Sequence, residues 1–343
     1  MKELQNQVNG VIKQDGRVWR KPVPPGVAPF VPLEKRKTRI ISVFNLKGGV
    51  GKTTITANLA GYLSRITSNR VMVIDVDHQR SLSQMLLSDQ DRTSAAGSGR
   101  TIQNYLTSES HDGQALMAAA VEIPGLKNTR ILTNIDPIRG HGIEQSLDDL
   151  EMRLMGDWLV NPASPDVRFL MRQALHSEVV RRELGYVLID CPPRLTTACI
   201  NALTASDFVL IPIQPEAVSL RSVQHLLLRL KELQESGVLA HLQVLGLVAN
   251  MVTPRSVAAG VNESKLLSTA AAAAQNSWNQ PVALFDTVLT RGYQYAEASR
   301  ELADGKPLKL AVDYPSIRSQ YKALLSEIEE RINESLGVAG VHS

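Results

Sequence analysis

The sequence predicts an α/β fold: a doubly wound, mostly parallel sheet with helices on both faces. Short, nearly all-apolar runs recur along the chain and alternate with helix-like sequence, as parallel strands covered on both faces require. A glycine-rich turn joins the first such run to the first helical pattern, the usual place for a phosphate site in this fold class. The 343 residues, 43% apolar and 21% charged, are enough to bury a sizeable core. No run approaches the ~18–20 apolar residues of a membrane-spanning helix. The opening MKELQNQVNG lacks the apolar centre of a signal peptide. Two cysteines, Cys191 and Cys199, make no disulfide framework and read as ordinary buried thiols, so a cytoplasmic setting is expected.

Taken in order, residues 1–37 read as a basic, proline-rich leader, expected to be flexible. Five prolines between Pro22 and Pro32 preclude a regular helix, and Lys35-Arg36-Lys37 closes the segment with charge. Residues 1–40 carry nine Lys/Arg against three acids, which leaves the rest of the chain at net −3. Any nucleic-acid contact must then come from a local patch, the leader or several copies acting together. Residues 38–338 are expected to form one domain. Its strands are expected at Ile40–Phe44, Val71–Ile74, Tyr186–Ile189, Phe208–Ile213, Val244–Val248 and Val282–Phe285. Ile55, Leu59, Leu63 and Ile66 mark the first helix, and the alanines 270–274 another. The stretch between residues 78 and 189 is long for one crossover and reads as an enlargement. Near the C-terminus Ile317, Tyr321, Leu324, Leu325, Ile328, Ile332 and Leu336 form an apolar helical stripe, whose polar face holds Glu327, Glu329, Glu330 and Glu334. A lipid-binding helix is usually basic, so packing onto the domain is the better reading.

The informative stretch is Asn45-Leu46-Lys47-Gly48-Gly49-Val50-Gly51-Lys52-Thr53-Thr54. Its glycines let the backbone N–H groups of residues 48–54 turn inward around phosphate oxygens. The helix that follows presents its positive N-terminal end to the same anion. Lys52 supplies charge to the β- and γ-phosphates, and the Thr53 hydroxyl is a ligand for Mg²⁺. The general G-x-x-x-x-G-K-T pattern is broken by Leu46 at its first glycine, and a second lysine, Lys47, opens the loop.

That K-G-G-x-G-K-T-T form resembles the deviant Walker A loop of the ParA/MinD superfamily of P-loop NTPases, and further motifs extend the likeness over about residues 39–335. The resemblance implies that Lys47 reaches the nucleotide, commonly the one held by the partner in an ATP-sandwich homodimer. Asp75-Val76-Asp77-His78-Gln79-Arg80 stands where ParA-like proteins have D-x-D-P-Q-G. This implies a water-positioning role for Asp77, with His78 and Arg80 replacing the usual Pro and Gly. Leu188-Ile189-Asp190-Cys191-Pro192-Pro193 matches the second acidic motif, whose aspartate, here Asp190, holds Mg²⁺. Ile211-Pro212-Ile213-Gln214-Pro215-Glu216 follows the family's P-x-Q-P-E. Asn250 stands where an amide reads the adenine edge, offering both donor and acceptor. Thr290-Arg291, Glu297-Ala298 and Gly305-Lys306-Pro307 follow the terminal segment, with Thr290 in place of a proline.

The family resemblance implies a slow ATPase acting as a switch. ATP and Mg²⁺ pair two subunits, the pair binds DNA without sequence preference, and a ParB-like or other adaptor stimulates hydrolysis. A nucleoid-associated protein that partitions a plasmid or chromosome, or positions another cargo, is the leading expectation. Arg255 and Arg291 match positions where relatives contact DNA. The alternatives are a MinD-like membrane switch, for which the acidic C-terminal helix is poorly suited, and a metabolic or redox ATPase. Against the redox reading, no C-x-x-C pair exists to hold an iron–sulfur cluster.

Overall fold

A computed structural model describes residues 17–135, 146–161, 163–253, 262–275, 277–278, 282–303 and 308–337. In chain order the elements are β1 (Arg39–Val43), α1 (Lys52–Ile66), β2 (Arg70–Asp75), α2 (Ser81–Leu86), α3 (Asp89–Gly97), α4 (Ile102–Thr107), α5 (Gly113–Ala119), β3 (Val121–Glu122), β4 (Thr129–Leu132) and α6 (Leu147–Val160). Then follow α7 (Leu170–Leu175), α8 (Glu178–Glu183), β5 (Leu184–Asp190), α9 (Thr197–Ala205), β6 (Phe208–Ile213), α10 (Ala217–Glu235), β7 (Gln243–Val252), α11 (Asn262–Gln275), β8 (Leu284–Thr290), α12 (Tyr293–Ala303) and α13 (Pro315–Ser335).

The strands form one sheet in the order β3-β4-β2-β5-β1-β6-β7-β8, parallel except for the antiparallel edge pair β3–β4. This is the doubly wound architecture that the apolar runs predict. Successive strand side chains feed opposite faces. Val71 and Val73 belong to the core layer that includes α1, α2 and α13, whereas Met72 and Ile74 belong to the opposite layer, which includes α4 to α11. The predicted strands appear within a few residues of their expected ends, β8 lying furthest from expectation. Strands β3 and β4 were not predicted. They belong to the enlargement between residues 78 and 189, where the described helices α3, α4, α5, α6 and α8 carry side-chain N-caps. Ser88 and Asp91, for example, form a capping box on α3.

The leader expectation is corrected for residues 17–37. They form a strap against the body, held by ring stacking, hydrogen bonds to backbone carbonyls and a buried ion pair. Trp19 is 5% exposed and stacks on Trp158 at 6.5 Å. The fully buried Arg168 donates to the carbonyls of Trp19 (2.9 Å), Lys21 (2.6 Å) and Pro22 (3.2 Å), with its charge met by Asp166. Phe30 stacks on His241 at 4.3 Å, and Arg36 closes the strap in a buried ion pair with Asp207. Residues 1–16 lie outside the described residues.

Helix α13 buries Ile317, Tyr321, Leu324, Leu325, Ile328 and Ile332. Its apolar stripe is therefore part of the core, as expected. Among the described residues no helix is long and apolar enough to cross a membrane. Cys191 and Cys199 are both buried free thiols.

Candidate nucleotide site

The site lies at the C-terminal edge of the sheet, where ligands of open α/β folds sit. The loop after β1 is shaped by glycines at the two positions that need them. Gly49 has φ +74° and Gly51 φ +89°, a region in which L side chains are strained. Gly51 also admits no side chain, since a Cβ there would stand 2.1 Å from Asn250 Nδ2. At Gly48 and Gly49, by contrast, a Cβ would meet nothing within 4 Å, so no neighbouring side chain crowds the turn there. Val50 is buried beneath, and Thr54 follows Thr53 in the first turn of α1.

Lys52 is buried, and its Nζ donates to the Lys47 carbonyl at 3.2 Å, so the ammonium is folded back over the loop. Burial lowers its pKa, opposed by the negative charges of Asp190 and Asp77. Thr53 Oγ1 donates to Asp190 Oδ2 at 2.6 Å. The other oxygen, Oδ1, is buried without a hydrogen bond among the described residues. Parallel register sets Asp75 directly beside Asp190. Burial raises Asp190 well above the usual carboxylate range, and the neighbouring Asp75 adds to the rise. Three buried acids, Asp75, Asp77 and Asp190, thus interact with one another and with Lys52. An orphaned carboxylate oxygen and a hydroxyl beside such an excess of negative charge suit a hard, oxygen-seeking divalent ion. Thr53 and Asp190 would hold Mg²⁺ there.

Asp77 follows the end of β2 and is buried. Its backbone is pinned from both sides: its N–H donates to Asp75 Oδ1 (3.2 Å), and its carbonyl accepts from Asn134 Nδ2 (2.7 Å). Asp75 is the residue that sequence reasoning missed. Burial pushes it up to about 6, and its Oδ2 accepts from the Ser83 N–H (2.8 Å) and hydroxyl (2.7 Å). It ties the turn carrying Asp77 to α2. The signal was present as the last inward-pointing acid of an otherwise apolar strand.

Lys47 points elsewhere in this single chain. Its Nζ donates to Glu216 Oε2 at 2.5 Å and to Gln214 Oε1 at 3.2 Å, residues of the P-x-Q-P-E stretch for which no role was read. Gln214 also donates to the Gly49 carbonyl at 2.9 Å. Asn250, buried in β7, donates through Nδ2 to the Val50 carbonyl at 2.8 Å. In the structure its amide braces the phosphate loop. Arg291 is exposed just past β8, its N–H bonded to the Val252 carbonyl. Arg255 and the Gly305-Lys306-Pro307 stretch lie outside the described residues.

A family model described as an AAA domain (AAA_31) matches residues 38–244, well over half of the chain. The chain belongs to the ParA/MinD superfamily of P-loop ATPases. Among its relatives is the chromosome-partitioning ATPase Soj of Thermus thermophilus, 28% identical over 303 residues that cover 88% of this chain and 99% of Soj. The structure of apo McdA from Cyanothece superimposes with a TM-score of 0.63 over 86% of this chain and 99% of McdA, at 18% identity. MinD of Pyrococcus horikoshii, solved with Mg-ADP, does so at 0.55 over 89% of this chain and all of MinD, at 23% identity. Both share the fold.

Proposed function

We propose that this protein is a ParA-type ATPase that pairs around ATP and Mg²⁺, binds DNA without sequence preference, and partitions a plasmid or chromosome or positions another cargo. The observation that carries the reading is the convergence of Lys52, Thr53, Asp77 and Asp190 on one glycine-shaped loop. In it the N–H groups of residues 48–54 and the Lys52 ammonium hold the β- and γ-phosphates. Thr53 and Asp190 would hold Mg²⁺, which when bound would offset phosphate charge. Asp77, its backbone fixed by Asp75 and Asn134, orients the attacking water. Asn250, whose amide holds the Val50 carbonyl in the structure, would turn to the adenine edge when nucleotide binds. Lys47 leaves Glu216 and Gln214 to reach the partner subunit's nucleotide, which makes subunit pairing depend on ATP.

Pairing doubles every basic contact, so weak phosphate contacts by residues such as Arg255 and Arg291 combine into a salt-sensitive DNA surface. An adaptor of the ParB kind then stimulates hydrolysis and releases the DNA. Hydrolysis depends on the partner subunit and the adaptor, so basal turnover is expected well below the ~1–100 s⁻¹ of kinases. The burial of the α13 stripe removes the feature that a membrane-switch reading would need.

The test is retention on non-specific DNA at moderate salt. Wild type with ATP should be retained, whereas Lys52→Ala and Arg255→Glu should wash off. Equal retention of all three would refute the reading. In parallel, Asp77→Ala saturated with ATP should run as a dimer in size-exclusion chromatography.

A further inference from the structure

One residue past Asp77, the sequence replaces the family's proline with His78, and the structure gives that histidine an unusual setting. His78, Asp148 and Glu151 bring one ring nitrogen and two carboxylate oxygens within 4.8 Å of one another. Asp148 and Glu151 lie three apart at the start of α6 and so share a face. Glu151 is buried, and its two oxygens have separate tasks. Oε1 accepts from the Ala198 N–H (2.8 Å) and the Thr196 hydroxyl (3.3 Å) at the start of α9, which fixes the carboxylate's orientation. Oε2 faces His78 Nε2 at 3.2 Å.

The His78 side chain is only 10% exposed, and its Nε2 is buried without a properly aligned hydrogen bond among the described residues. Two ligands at the ~2.0–2.2 Å bond lengths of a tetrahedral zinc site stand about 3.3 Å apart, close to this separation. The third group, Asp148, lies 2.5 Å from the other ring nitrogen, Nδ1, and is more than half exposed, so its side chain would turn from that contact and from Arg194 to share the ion. The exposed Arg194 guanidinium sits 2.5 Å from His78 Nδ1 and 3.1 Å from Asp148 Oδ1. It supplies the positive charge that the two carboxylates require, and an incoming metal cation would displace it.

We propose that His78, Asp148 and Glu151 form a second divalent-metal site, separate from Thr53 and Asp190, with water completing the coordination. An imidazole beside two carboxylates selects a borderline transition ion of the Zn²⁺ or Co²⁺ class over Mg²⁺. A bound ion would tie the turn carrying Asp77 to α6 and to the start of α9. The site stands on its own residues, whether or not the chain hydrolyses ATP.

The test uses the full chain, stripped of metal by a chelator and free of nucleotide. It is titrated with ZnCl₂ by calorimetry and with CoCl₂ by visible absorption. One ion should bind per chain, and the cobalt spectrum should show tetrahedral or five-coordinate ligation. His78→Ala and Asp148→Asn should each weaken binding at least tenfold, whereas Arg194→Ala should tighten it by removing the competing cation. Glu151 also caps a helix, so the two milder variants carry the test, with circular dichroism and the metal-free unfolding midpoint as the fold control. If correctly folded His78→Ala and Asp148→Asn bind Zn²⁺ as wild type does, or if wild type binds none at 100 µM, about an affinity of 5.5 kcal/mol, the proposal is overturned.

Discussion

Gly51 and Gly48 have different tasks, and the difference can be measured. At Gly51 a methyl group would meet both a left-handed backbone and the Asn250 amide, which is itself held by the Val50 carbonyl. Gly51→Ala should cost about 1–3 kcal/mol of stability and abolish nucleotide binding. At Gly48 a methyl group meets no protein atom, so Gly48→Ala should unfold near the wild-type midpoint and lose affinity only for the ligand. Denaturant unfolding with and without Mg-ATP separates the two outcomes, and a strongly destabilised Gly48→Ala would contradict the open turn. At this scale the phosphate loop was legible because its chemistry is contiguous in sequence. Asp75 and Glu216 were not, since their partners Ser83 and Lys47 are set by strand register and loop packing that no local spacing encodes.

The strap illustrates what periodicity cannot reveal. Proline removes both helical and strand repeats, and attachment rests on isolated anchors that look like solvent-facing residues in sequence. Its Val31 N–H donates to His176 Nδ1 at 3.0 Å, and the other ring nitrogen lies 2.9 Å from the Ala205 carbonyl. Nδ1 must therefore be unprotonated. Burial, with the charges of Arg36 and Arg172, holds the His176 pKa down to about 3. Below the unfolded value of ~6.5 the unfolded chain takes up a proton that the folded one refuses, so stability falls as pH falls from ~6.5 toward 3. At pH 5 this amounts to about 2 kcal/mol, and His176→Gln should flatten that slope in urea unfolding measured from pH 7 to 5. The strap's other end is costlier to break. Arg36→Ala leaves Asp207, whose pKa burial already raises, without its cation, and should cost about 3–5 kcal/mol. A loss below ~1 kcal/mol would show that Asp207 takes up a proton or that water reaches it.

Across the whole molecule, the residues of the site come from the C-terminal ends of five adjacent strands. The loop follows β1, Asp75 ends β2, Asp190 ends β5, Gln214 follows β6 and Asn250 lies late in β7. Two of these carboxylates, Asp75 and Asp190, and Lys52 are held close together at a desolvation cost. A ligand that supplies a cation and fills the loop acts on the centre of the sheet rather than on an edge strand. It should therefore stabilise the fold as a unit. At a hundredfold excess over its dissociation constant, Mg-ATP should add about 2.7 kcal/mol and raise the unfolding midpoint in one cooperative step. EDTA should remove most of the shift by withdrawing Mg²⁺ from Thr53 and Asp190, and Lys52→Ala should remove it altogether. If Lys52→Ala keeps the full shift, the stabilising ligand sits somewhere other than this loop. If only part of the transition moves, the sheet is not the single cooperative body that its strand order implies.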